Sequence, residues 1–119
     1  MLKPSLLASF LLLTFISFAH ANAMEDALIE GVKFLDDVQE VEWYRVEGKS
    51  LIIGWKGIPS FFTRTNRRAA IRATISTGRG IRVWAVRHNQ RKWKVGSGES
   101  HTCFMIAKNA RVTTDTCPH

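Results

Sequence analysis

The chain has 119 residues, 45% of them hydrophobic, with two cysteines and a formal net charge of +7. If the first 23 residues are removed on export, 96 remain, enough for one domain and too few for two. In an exported chain a lone pair of cysteines reads as one disulfide rather than a metal or redox centre.

Residues 1–23 have the layout of a secretory signal. Lys3 supplies a positive charge, Leu6 to Phe18 an apolar run, and Ala21-Asn22-Ala23 a small-x-small cleavage site. The apolar run is shorter than the roughly 20 residues that a membrane-crossing helix needs. The expected mature chain starts at Met24, has no transmembrane segment, and is exported to the periplasm or outside the cell.

Residues 24–35 predict a helix, because Met24, Leu28, Val32 and Leu35 make one apolar stripe. Glu25 and Asp26 suit its first turn, and Gly31 weakens it slightly. Val38–Val46 and Leu51–Lys56 follow as strands around a Glu47-Gly48-Lys49 turn. Strict alternation puts Val41 and Trp43 on one face and Tyr44 and Val46 on the other, while Leu51, Ile53 and Trp55 share a face. Apolar residues on both faces predict a sheet covered, or partly covered, on each side.

Ser60 to Ser76 predicts the longest helix, opened by Pro59 and ended by Gly78 as a left-handed cap. Phe62, Ala69, Ala70 and Ala73 form its core side, small enough for close packing on a sheet. Ile71 and Ile75 widen the apolar arc, which predicts a well-buried helix. Gly80–His88 reads as a central strand, and 89–99 as a polar loop containing Trp93. Strands at 100–107 and 111–117 flank a turn at Lys108-Asn109-Ala110. A pairing centred on residue 110 sets Cys103 opposite Cys117, and closing that loop stabilises the fold by up to about 3 kcal/mol. The expected fold is a single α+β domain in the order α-β-β-α-β-β-β. It has a mainly antiparallel sheet of about five strands, with the order of the strands left open.

Charge is divided unevenly. Residues 24–47 carry eight acids and two bases, whereas residues 48–119 carry fourteen Lys or Arg and two acids. Either the acidic segment folds onto the basic one, or the positive surplus faces outward and attracts a polyanion. Arg64, Arg68 and Arg72 are four residues apart and line one helix face beside Arg67. Such a row docks phosphate or carboxylate, or else is a solvated face paired with Glu40, Glu42 or Glu47. Arg91, Lys92, Trp93 and Lys94 make a second basic cluster. There Trp93 is either a presented stacking residue or a lid over the sheet edge.

An enzyme reading rests on His88 and His101 as base and acid beside a cation. Nucleophile-elbow, H-E-x-x-H and phosphate-loop motifs are absent. A Cys/His metal site is rejected in favour of the disulfide, and no cofactor is expected. The function expected from sequence is non-catalytic binding of an anionic polymer, envelope surface or acidic protein. A small histidine-dependent hydrolase and a protein-interaction module or inhibitor are the alternatives.

Overall fold

The computed structural model describes residues 23–119, so the cleavable leader expected at 1–23 lies outside the described residues apart from Ala23. Residues 23–31 are helical (α1) and run into a 3-10 turn at Lys33–Asp37. Strands β1 (Val41–Glu47) and β2 (Ser50–Trp55) come next, then helix α2 (Phe62–Thr77). Strands β3 (Ile81–Arg87), β4 (Cys103–Lys108) and β5 (Arg111–Asp115) complete the α-β-β-α-β-β-β order.

The strands lie side by side in chain order, β1-β2-β3-β4-β5. All pairings are antiparallel except β2 with β3, which α2 joins as a crossover. The core lies on one face of the sheet. Leu51, Ile53, Trp55, Ile81, Val83, Ala85, Met105 and Ala107 meet Leu28, Val32, Leu35, Phe62, Ala69, Ala70 and Ala73 from the helical side. Each large side chain buried there contributes about 1.5–3 kcal/mol. Gly78 ends α2 in the left-handed region, with φ 66°.

Two β-bulges change what strict alternation predicts. Val41 pairs with Trp55 but Trp43 with Gly54, leaving Glu42 as an extra residue. Val41 therefore joins Tyr44 and Val46 on the core face, and Trp43 goes to the other side, which corrects the expected pairing of Val41 with Trp43. In the last hairpin Lys108 pairs with Arg111, so the turn is only Asn109-Ala110, both at positive φ (54° and 61°). Thr113 is the second extra residue. Beyond it Ile106 pairs with Thr114 and Met105 with Asp115, the register that brings Cys103 against Cys117. The disulfide is present, with Cα atoms 4.9 Å apart. Turn and bulge together produce the alignment read from the sequence.

The 3-10 turn is tied to β1 by Tyr44, whose hydroxyl donates to Asp36 Oδ1 at 2.8 Å. Burial first, then Asp36 as acceptor and as charge, pushes the phenol up from 10.0 to about 12. Below pH 10 the contribution of the neutral phenol to stability is complete. It is lost as pH rises towards about 12, because the unfolded chain ionises first. Tyr44 is the sole tyrosine, so ultraviolet titration should find one phenol ionising near pH 12 folded and near 10 in denaturant. Asp36→Asn should lower the folded value only in part, since burial remains.

Ala110 carries the cost of a left-handed conformation without being glycine, about 1 kcal/mol. Its N–H donates to Thr74 Oγ1 at 3.0 Å, a bond that glycine retains. Ala110→Gly should therefore raise stability by up to about 1 kcal/mol, or roughly 4–8 °C in the melting temperature of a domain this size.

Candidate functional site

Helix α2 buries one side and exposes the other. Phe62, Thr65, Asn66, Ala69, Ala70, Ala73 and Thr74 face the sheet. The three- and four-residue steps of a second stripe run through Arg64, Arg68, Ile71 and Ile75 and face away from it. Ile75 is 66% exposed and Ile71 half-buried, so the expectation of a helix buried on a widened apolar arc is corrected. No third layer lies over that stripe among the described residues; the sheet takes the alanine side because only short side chains allow close packing.

The outer face forms a shallow depression of about 600 Å³ between the end of α1 and α2. Gly31 makes it possible. A Cβ there would stand 2.2 Å from Ser76 Oγ, so only glycine lets α1 touch α2 at this point. Arg68 lies over the Phe34 ring at 4.3 Å and Arg72 at 5.7 Å, which holds both guanidiniums without a carboxylate. Arg67 differs, because its Nη2 is 2.7 Å from Asp115 Oδ2 and so it fastens α2 to β5. Among the described residues Arg64, Arg68 and Arg72 have no salt-bridge partner.

Of the acids proposed to neutralise this row, two are engaged elsewhere, while Glu30 of α1 lines the depression itself and pairs with Lys33 at 3.8 Å. Glu47 meets Arg45, and Glu42 meets His88 and Arg91. Arg91 is the one arginine or lysine of the basic segment paired with an acid of the N-terminal segment, among the described residues. The positive surplus is thus not cancelled by internal pairing.

The second basic cluster lies on the opposite side of the sheet. Trp93 is 2% exposed and packs with Ile52, Val86, Trp43 and Trp84, its ring 5.3 Å from that of Trp84. Its Nε1 donates to the Glu99 carbonyl at 3.1 Å. Arg45 donates to the carbonyls of Arg91 and Trp93, pinning the loop from the sheet side. Of the two placements open for Trp93, the structure has the lid. Arg91, Lys92 and Lys94 remain exposed around it, but with the sheet between them and α2 the two clusters do not form one surface.

Trp43 completes this second face by lying flat over Gly54, where a Cβ would come within 2.2 Å of the indole. Its Nε1 donates to the His88 carbonyl at 2.7 Å.

His88 and His101 line a common cleft of about 360 Å³ at the carboxyl ends of β2 and β3, yet they are held differently. His88 Nδ1 is 2.6 Å from Glu42 Oε2, whereas the His101 ring packs edge-on against Trp84 at 4.9 Å and near Phe104. The bulge at Glu42 brings that carboxylate to His88, a contact that alternation along β1 does not reveal. Ile71 and Ile75 were also missed as site residues, although their spacing from Arg64 and Arg68 carries the signal. Both cysteines are joined to each other, and among the described residues no three His, Cys, Asp or Glu side chains gather as a metal site requires.

Comparison with known protein families, curated proteins and solved structures returns no match to this chain.

A lid and a presented residue predict different mutants. Trp93→Ala should cost about 3–5 kcal/mol in urea denaturation, as removal of a buried aromatic does. Lys92→Ala and Lys94→Ala should stay within about 0.5 kcal/mol of the parent.

Proposed function

We propose that this protein is an exported, non-catalytic module that binds an anionic polymer or envelope surface through the outer face of α2. The observation that carries the reading is the exposed row of Arg64, Arg68 and Arg72, with no carboxylate partner among the described residues. Uncompensated guanidiniums in a row offer paired N–H donors to phosphate or carboxylate oxygens. They also add to a potential that steers anions towards the face.

Export is supported by the leader-like residues 1–23 and by a disulfide, which persists in oxidising compartments. No helix among the described residues is long and apolar enough to cross a membrane, which is compatible with such a module. The division of charge supports an anionic partner over a basic one. The exposed cations of the 91–94 loop contribute to long-range attraction from the other side of the sheet rather than to the same contact.

Binding carried by charge should be salt-sensitive, because each neutralised phosphate releases counterions. The processed protein should bind inorganic polyphosphate at low salt and release it as ionic strength rises. The triple variant Arg64→Glu, Arg68→Glu, Arg72→Glu should bind on the order of tenfold more weakly or worse. Reversal of Arg91, Lys92 and Lys94 should have the smaller effect. Fluorescence or calorimetric titration reads this directly, and equal affinity of the α2 triple variant and the parent contradicts the assignment.

A further inference from the structure

We propose that the anionic surface met by α2 is a lipid bilayer, with the arginines on headgroup phosphates and Ile71 and Ile75 entering the acyl boundary. This inference rests on the reading of α2 as an anion site and adds what that anion is attached to. A polyphosphate or acidic glycan calls for cations alone. The α2 face instead sets two isoleucines among its arginines, one of them 66% exposed.

The arrangement matches the interfacial pattern, in which a helix lies in the membrane plane with apolar side chains down and basic ones at headgroup level. Arg64 to Ile75 spans about 17 Å of helix, at 1.5 Å per residue, long enough for several headgroups. Arginine stems reach upward past an apolar floor while their charged ends stay in the polar layer. Arg68 and Arg72 are steadied over Phe34 instead of being drawn into ion pairs, so their N–H groups remain available to phosphate. The depression is open to solvent rather than enclosed, so a bilayer surface can reach the isoleucines that line it. Charge complementarity selects anionic lipid, since zwitterionic headgroups present no net charge to the row.

Co-sedimentation with vesicles tests this, using processed protein with the disulfide intact. It should bind vesicles of phosphatidylcholine containing phosphatidylglycerol and leave pure phosphatidylcholine vesicles unbound. Ile71→Ser with Ile75→Ser should weaken vesicle binding about tenfold while changing polyphosphate affinity less than about twofold. Ile75→Trp, at an exposed position that poses little risk to folding, should strengthen vesicle binding, because indoles favour the interface. Vesicle binding unchanged by the serine pair overturns the lipid assignment. So does a protein that holds polyphosphate but ignores anionic vesicles, and in both cases the anion site stands. Failure to bind either probe removes both readings.

Discussion

The close seat of α2 on the sheet is the contact from which the rest of the domain takes its shape. Ala69, Ala70 and Ala73 are fully buried between helix and strands, and longer side chains there would hold the two layers apart. From that seat Asn66 reaches Trp55, accepting the indole N–H at 3.0 Å in the core. Ser76 meets Gly31 of α1, Thr74 accepts the N–H of Ala110 in the last turn, and Arg67 pairs with Asp115 at the end of β5. Helix, hairpin and N-terminal segment are all referenced to one surface. The same seat turns Arg64, Arg68, Ile71 and Ile75 outward.

Among the described residues the other face of the sheet has no helix and is closed by a polar loop with one large apolar side chain. Trp93 lies on Ile52, Val86 and Trp84, and Trp43 covers Gly54 beside them. The loop backbone is fastened through its carbonyls, to Arg45 from the strand and to the Trp93 indole from within. An arginine on an edge strand thus serves two loop carbonyls at once. The loop cations then decorate a lid whose anchoring is apolar, which separates their role from that of the α2 row.

Much of this was legible in the sequence, for reasons specific to each element. The helix at α2 and the strands β2 and β3 have periodicities sustained over many residues, with Gly78 marking the helix end. The disulfide was legible because two cysteines in one hairpin leave a single partner for each. Less legible were the bulges at Glu42 and Thr113, since an extra residue leaves composition unchanged and only the partner strand reveals the slip. That slip moved Trp43 across the sheet and brought Glu42 to His88. The outward turn of Ile71 and Ile75 was hidden differently. Helical spacing shows that these residues share a stripe with Arg64 and Arg68, but not which of two stripes meets the sheet.

By itself, then, the sequence determined an α+β domain in the order α-β-β-α-β-β-β, the pairing of Cys103 with Cys117 and the presence of an arginine row on a helix. These follow from local periodicity and from which groups are chemically able to join. Only the tertiary structure decided the order of the strands, the burial of Trp93, the separation of the two basic clusters and the exposure of isoleucines among the arginines. Each of those depends on which surfaces meet, and that is settled by volume and close packing between segments far apart in the chain, which no local pattern encodes.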